Sequence, residues 1–479
     1  MFHVSGPAPG LLTAALLVVL CLVAGGTVLY LVTLLLSALA AKRHRSASRS
    51  PLPPGRGEAR FAFVVPAHDE EVVIGATLDS LNRIDYPRDR YEVVVVADNC
   101  TDTTARIARD AGATVLKRTN RDLRGKGYAL EWAFSLLLQR DAGAEDAVEA
   151  FVVVDADTEV APGFLRAMES ALWADLPAPA TAEGRRRHRR ALQGRYGVLN
   201  VGDSWRSALM AAAFDLFNHV KPLGRDHLGM SVGLKGNGMA FTRGTLETAR
   251  WSGHSITEDI DYGLDLLQSH GVVVGYVPEA VVRAQMPVTA SQAASQRERW
   301  ERGRYLLLKE RALPLLATGL RRGDLRRVEA SLDLMTPPLA ELAALHLLWG
   351  LLTVGALRLL PGGLPGNPAV WTALPAASLL GYLFYVIVGL RAADAPPEAY
   401  RALLRAPLYA PWKFALYAAR FLRPRRVTVA AAAGAAVGGS GPEWVRTERT
   451  PMSLPPSGGA GSSAAGDSAA DAASQGNVL

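Results

Sequence analysis

The chain of 479 residues has little cysteine: two residues, Cys21 and Cys100. Cys21 lies within an apolar run and Cys100 follows a predicted strand, so a disulfide framework is excluded and a reducing compartment fits. No Cys/His cluster has the spacing of a zinc site. Aromatic residues are 7% of the chain and the net charge is +7. No basic stripe is interleaved with those aromatics, so the charge points to a membrane surface and to no nucleic acid. Internal repeats are missing as well. Charge itself is missing from residues 11–40, a stretch longer than the roughly 20 residues a membrane span needs. Ala38-Leu39-Ala40 resembles a signal-peptidase site. However, no Lys or Arg precedes the run, and the run exceeds the usual apolar core of a signal, about 7–15 residues, so it reads as a retained span. Lys42, Arg43, Arg45, Arg49, Arg56 and Arg60 follow at once, and the positive-inside rule predicts a cytoplasmic location for what comes next.

After a short N-terminal segment (1–10), the first span (11–40) and a basic linker (41–60), the pattern changes at Phe61. Strands are expected at 61–65, 91–97, 114–117 and 151–154, with helices at 70–82, 103–111 and 127–139 between them. This order predicts an α/β fold, a doubly wound sheet with parallel strands, over 61–320. Phe151-Val152-Val153-Val154 is a continuous apolar run, the mark of a strand covered on both faces. Residues 177–195 break the pattern with Gly184-Arg185-Arg186-Arg187-His188-Arg189-Arg190, which reads as a solvated helix or loop, or as a contact for anionic headgroups. A glycine-rich stretch follows at 233–243. Thr257 reads as the N-cap of a helix, 272–277 as a strand, and 291–316 as a long helix, basic on one side. Two further apolar segments, 332–360 and 369–390, form a membrane hairpin. Three spans then leave the N-terminus outside and the large domain and C-terminus inside. Residues 391–450 include an amphipathic interfacial segment at 402–422, and 451–479 is a low-complexity, disordered tail.

The chemistry-bearing residues follow strand ends. Asp155 and Asp157 leave the buried strand at spacing i, i+2; alone they are a solvated turn, and as a pair they offer hard oxygens to a divalent cation holding phosphates. Pro66-Ala67-His68-Asp69-Glu70-Glu71 follows the first strand and Asp98-Asn99-Cys100-Thr101-Asp102 the second. Arg124-Gly125-Lys126-Gly127 precedes a helix and lacks the spacing of a Walker A loop. Each alone is an ordinary turn, cap or flexible loop. A doubly wound sheet sends them to one edge, where open α/β sheets bind ligands.

Phe63–Glu71, Val95–Asp102 and Asp155-Ala156-Asp157, in that order, resemble the GT-A domain of family 2 glycosyltransferases. Thr257-Glu258-Asp259 and Gln296-Arg297-Glu298-Arg299-Trp300 are similar to the Thr-Glu-Asp and Gln-x-x-Arg-Trp motifs of membrane-bound cellulose, hyaluronan, chitin and poly-N-acetylglucosamine synthases. The resemblance covers about residues 61–309, and Trp444-Val445-Arg446-Thr447 is similar to a downstream element of some relatives. His68 departs from the Asn common at its position. The resemblance implies a nucleotide-diphosphate sugar donor, most often a UDP-sugar. Pro66, Glu70 and Asp98 would hold the uridine with Lys126 nearby, and Asp155 and Asp157 the diphosphate with Mg2+ or Mn2+. Asp259, next to Glu258, would be the general base. Arg299 would bind diphosphate, Trp300 would stack on the acceptor, and Gln296 would position the site. The expected function is inverting transfer at the plasma membrane to a growing β-linked polysaccharide, with a homo-oligomer or export partner if the product is secreted. The alternatives are transfer of one or few sugars to a lipid acceptor, and a silent nucleotide-sugar-binding scaffold.

Overall fold

The structure, a computed structural model, describes residues 9–47, 55–176, 181–253, 255, 257–287, 302–360 and 364–406. Eight strands make one sheet: β1 (Phe61–Ala67), β2 (Tyr91–Asp98), β3 (Thr114–Arg118), β4 (Ala150–Val153), β5 (Thr158–Val160), β6 (Ala191–Val198), β7 (Met239–Thr242) and β8 (Val274–Ala284). Their order is β3-β2-β1-β4-β7-β6-β8-β5. The first four pair in parallel, as their unbroken apolar runs require. Phe61, Phe63, Val65, Val93, Val95 and Val152 enter one core beneath Ile74, Leu78 and Phe164. Ala62, Val64, Val94, Val96, Phe151 and Val153 enter another beneath Leu130 and Phe134. Alternate residues thus point to opposite faces and both faces are covered.

Beyond β4 the expectation of parallel strands holds only for the pairing of β6 with β8. β7 pairs antiparallel with β4 and β6, and β5 antiparallel with β8, so the sheet is mixed. The arginine-rich region expected as helix or loop yields a short helix, Ala182–Arg187, and then β6. β6 is paired on both sides, by β7 and β8, and this long-range pairing overrides a local sequence dominated by charge. The strand expected at 272–277 continues to Ala284. Pro278 has no N–H to give, and the ladder steps from Val277 opposite Gly194 to Val281 opposite Arg195, a bulge at the point where proline cannot pair. The arginine run is largely absorbed within the chain: Arg185 bonds Glu149, Arg187 pairs with Glu183 at 2.7 Å, and Arg190 with Asp175 at 2.6 Å.

Three helices are long and apolar enough to cross a membrane: Gly10–Arg45, Leu339–Leu359 and Pro368–Ala392. The segment expected at 332–360 is divided, because Pro337-Pro338 ends a preceding helix, Leu325–Met335, before the apolar one begins. The expected elements at 402–422, 444–447 and 451–479 lie outside the described residues, except for the end of a helix at Pro397–Leu403. The first apolar helix has 36 residues, about 54 Å at helical rise, which exceeds a hydrocarbon core of about 30 Å. One face is exposed and the other buried along its whole length: Leu11, Leu12, Leu16, Val19, Leu22, Leu29 and Leu36 are exposed, whereas Ala14, Leu17, Leu20, Ala24, Leu31, Leu34, Leu35, Ala38 and Ala41 are buried. The second half is docked on the sheet domain. Ser37 Oγ donates to the Gly224 carbonyl at 3.0 Å, and a Cβ at Gly224 would lie 2.1 Å from the Leu34 carbonyl oxygen.

An ionic network locks this junction. Tyr30 donates to Glu329 at 2.6 Å. Arg225 lies 2.7 Å from both Glu329 and Asp333, and Lys221 lies 2.5 Å from Asp333. Arg225 and Lys221 are buried. Removing one member of a buried network strands the opposite charges. Arg225→Met is therefore expected to cost about 3–5 kcal/mol, read as a lower unfolding midpoint in detergent micelles. Arg187→Gln, which breaks an exposed pair, should leave the midpoint where it is.

Candidate active site

Four loops meet at the carboxyl edge of the parallel strands. The loop after β1 is laced to the loop after β2. Asp69, at φ 53°, accepts from the Thr101 and Asp102 N–H groups at 2.6 and 3.2 Å. The Glu70 N–H donates to Thr104 Oγ1 at 2.8 Å, and a His68 ring nitrogen lies 2.8 Å from the Asp98 carbonyl oxygen. The helix after β1 starts at Ile74 rather than at Glu70, because Glu70 and Glu71 are held in this lacing. Pro66 lies within β1, opposite Val96.

Asp98 closes β2 and is fully buried. Its Oδ1 accepts from Arg118 at 2.6 Å and from Asn99 at 3.0 Å. Its Oδ2 has no hydrogen-bond partner among the described residues. Burial raises the carboxyl above its ordinary range, against the opposing pull of the Arg118 guanidinium. An enclosed acceptor with one open lone-pair side is a ready partner for a ligand N–H.

Lys126 begins the helix Lys126–Arg140. Its ammonium donates to Asp155 Oδ1 and to the Gly236 carbonyl, both at 2.5 Å. Gly127 allows this approach, since a Cβ there would lie 1.8 Å from the Gly253 carbonyl oxygen. Glu258 and Asp259 open the facing helix, Glu258–Ser269. Gly236, at φ +79°, sits over the group, with Asp259 Oδ2 at 3.3 Å and Lys126 Nζ at 3.6 Å from the position of a Cβ. Only glycine takes that backbone conformation without cost and leaves the space open. Burial pushes the Glu258 carboxyl up to about 7; Lys126 opposes this and Asp259 adds to it. Burial likewise raises Asp259, with Lys126 again opposing. Burial disfavours the Lys126 ammonium, but Asp155, Glu258 and Asp259 outweigh it and hold the amine charged.

Asp155 and Asp157 lie in the turn between β4 and β5. The Asp155 N–H donates to Asn237 Oδ1 at 3.2 Å, and Asn237 Nδ2 donates to Thr158 Oγ1 at 2.8 Å. Gln193 donates to the Asn237 carbonyl and accepts from the Lys235 N–H, both at 2.8 Å. Two buried amides thus pin the glycine-rich loop beneath the acidic turn. Asp157 is 6% exposed.

The structure brings Lys126, Asp155, Glu258 and Asp259 together around Gly236 and places Asp98 on β2 of the same parallel layer. Gln296, Arg299 and Trp300 lie outside the described residues. Thr257 precedes the helix as expected, yet its hydroxyl makes no cap bond. It is buried against Gly303, where a Cβ would meet Thr257 Cγ2 at 2.4 Å, and this packing replaces the cap. Arg118, Gln193 and Asn237 escaped the sequence reading. Asn237 had a signal, its place between two glycines in Lys235-Gly236-Asn237-Gly238. Arg118 faces Asp98 in register, which is visible only once β2 and β3 are paired. One further group, Asp69, Cys100 and Asp102, brings a potential ligand atom from each residue within 4.8 Å of the others. Burial pushes the Cys100 thiol up to about 11, and Asp69 already accepts the Thr101 and Asp102 N–H groups.

The glycosyltransferase-like family 2 domain matches residues 59–303. Among curated proteins, a probable glycosyltransferase, YdaM of Bacillus subtilis, is 26% identical over 258 residues, 52% of this chain and 56% of its own length. The β-monoglucosyldiacylglycerol synthase of Synechocystis is 29% identical over 251 residues, 51% of this chain and 48% of its own. The chain therefore spans about half the length of the curated relatives it matches. Among solved structures, the mannosyltransferase PcManGT of Pyrobaculum calidifontis, in complex with GDP-Man and Mn2+, is 20% identical with a TM-score of 0.42, over 78% of this chain and 99% of that one. The family domain takes up half of the sequence and contains β1 to β8 with all four converging loops: the chain belongs to the glycosyltransferase-like family 2.

Proposed function

We propose that the protein is an inverting, metal-assisted enzyme that moves a sugar from a nucleotide-diphosphate sugar to a hydroxyl of a membrane lipid. The observation that carries this reading is the attachment of the Asp259 helix to the segment leading into the membrane. Two residues past Asp259, Asp261 accepts from Arg311 at 2.6 Å, and Thr257 packs on Gly303. The chain from Gly303 continues through Leu313–Arg322 and Leu325–Met335 into the apolar helix Leu339–Leu359. A base mounted there faces an acceptor arriving from the bilayer side. Relatives named as β-monoglucosyldiacylglycerol synthases support a lipid acceptor. A second reading, addition to a growing β-linked polysaccharide, is favoured by Gln296-x-x-Arg299-Trp300. The basic residues after the first apolar helix support a multi-pass protein with its catalytic domain in the cytoplasm.

In this reading the open Oδ2 of Asp98 takes a base N–H of the donor, beside the Pro66–Glu70 loop. Asp155 bonds Lys126 through Oδ1 and keeps Oδ2 available. With Asp157 two residues on, it fits a hard divalent cation, Mg2+ or Mn2+. Such an ion supplies Lewis-acid neutralisation of the charge that develops on the diphosphate. Lys126 holds the Asp155 turn and the Gly236 loop in one arrangement. Asp259 accepts the proton of the acceptor hydroxyl as that oxygen bonds to the anomeric carbon and the bond from carbon to diphosphate oxygen breaks. One displacement inverts the configuration. The raised affinity of Asp259 for a proton suits a general base better than an ordinary aspartate would. Arg299 and Trp300 would serve the diphosphate and the acceptor.

The test is to incubate membranes carrying the protein with radiolabelled nucleotide sugars and to partition the product. Label in the chloroform phase supports the lipid acceptor, and a long polymer supports the second reading. Asp259→Asn should lower turnover by about 100- to 10,000-fold, whereas Asp265→Asn on the same helix should not. Chelation by EDTA should abolish transfer, and added Mn2+ or Mg2+ should restore it; full activity in EDTA would remove the metal from the mechanism. The base works deprotonated, so kcat/KM should rise with pH on a limb above the usual aspartate range. Glu258→Gln removes a neighbouring negative charge and should move that limb to lower pH; a limb that stays in place would separate Glu258 from the base.

A further inference from the structure

Helices Leu313–Arg322 and Leu325–Met335 form a hairpin between the Asp259 helix and the apolar helix Leu339–Leu359. One side of it is filled: Leu315, Ala330 and Leu334 pack with Leu264 and Leu267. The other side is bare. Leu313 and Leu320 are 63% and 66% exposed, and Leu325 and Leu332 are 70% and 43% exposed. Each pair is seven residues apart, about two turns, so its members share a helix face. A water-facing surface rarely keeps such a contiguous leucine patch. Basic residues gather at the turn. Arg321, Arg322 and Arg326 are exposed, and neither Arg321 nor Arg322 is ion-paired among the described residues. Beside the turn lies a cleft of about 610 Å³ with Leu228, Met230, Leu267 and Leu325 on its walls and Arg322 and Arg326 at its rim. The hairpin also stands at a definite depth. Tyr30, on the first apolar helix, bonds Glu329 in the middle of the second hairpin helix, and three residues after Met335 the Leu339–Leu359 helix begins.

We propose that this hairpin turn is a binding site for anionic phospholipid in the leaflet nearest the sheet domain. The exposed leucines enter the acyl region, and Arg321, Arg322 and Arg326 take the headgroup phosphate. An amphipathic surface gains affinity from both parts together, buried apolar area and attraction of arginine to anionic lipid. Continuity with the apolar helices and the unpaired positive charge select a lipid over a protein partner. The inference rests on reading those helices as membrane spans. It adds a site that the transfer chemistry does not use, about two helices from Asp259 along the chain.

The full chain, with Cys21→Ser and Cys100→Ser, is labelled with the fluorophore NBD at Leu320→Cys or, as a reference, at Val19→Cys in the first apolar helix. It is placed in nanodiscs of phosphatidylcholine alone or with phosphatidylglycerol, with and without brominated acyl chains. Bromine is expected to quench both probes, since both would lie among the acyl chains. At position 320 quenching should deepen with phosphatidylglycerol, and Arg321→Gln/Arg322→Gln/Arg326→Gln should abolish that increment without changing the probe at position 19. A quenched probe at position 19 with an unquenched probe at position 320 overturns the site and leaves the spans standing. A blue-shifted but unquenched probe at position 320 assigns the patch to a second copy of the chain and also overturns it. Equal quenching in both lipids, or a phosphatidylglycerol effect reproduced by inorganic phosphate, overturns the headgroup assignment. If neither probe is quenched, the span reading fails and the site falls with it.

Discussion

One ammonium group holds the site together. Lys126 lies among Asp155, Glu258 and Asp259 and also donates to the Gly236 carbonyl. Without a cation, three carboxylates enclosed by backbone would repel one another and drive their own protonation. With it, the acidic turn after β4, the glycine-rich loop before β7 and the start of the Asp259 helix are bound to one point. The price falls on Glu258 and Asp259, which hold their protons more tightly than free carboxyls do. For the general base proposed above, that tighter hold is an advantage. The glycines serve the same point: Gly127 and Gly236 are bare because the backbone of one loop and the charged groups of another occupy the space a side chain would need.

A second junction ties the sheet domain to the apolar helices. The long first helix keeps exposed leucines in both halves, such as Leu16 and Leu36. Its second half is clamped by Arg225, Lys221, Glu329, Asp333 and Tyr30. These residues come from three separate stretches of chain: the apolar helix, the segment before the glycine-rich loop, and the hairpin that follows the Asp259 helix. The Asp261–Arg311 pair continues the link into that hairpin. The sheet domain is thus fastened to the apolar helices through the same hairpin that the Asp259 helix contacts.

Much of this was legible beforehand, and the reasons are local. Val93–Val96 and Phe151–Val153 are β-branched and aromatic runs with no polar interruption, and a chain with those runs has few options besides a strand covered on both faces. Asp98, Asp155, Asp157 and Asp259 were legible as candidates because each follows a strand or opens a helix, positions that a parallel sheet sends to one edge. What escaped was paired at long range. β6 was hidden behind its arginines, and its place in the sheet depends on β7 and β8. Thr257 has the composition of a cap, but the nearby backbone of Gly303 packs on it instead.

Sequence alone determined the element types of the parallel half, the three apolar helices and the candidate acid groups, since each follows from the composition of a few neighbouring residues. Tertiary structure alone decided the mixed order of the sheet, the burial of Asp98 on Arg118 and the gathering of three carboxylates on Lys126. Those features are contacts between residues 20 to 133 positions apart, and local composition carries no information about which distant strand or helix closes against which. The same holds for the first helix. Its leucines and alanines are alike along its length, and only tertiary packing, such as that of Gly224 against Leu34, decides which of them are buried.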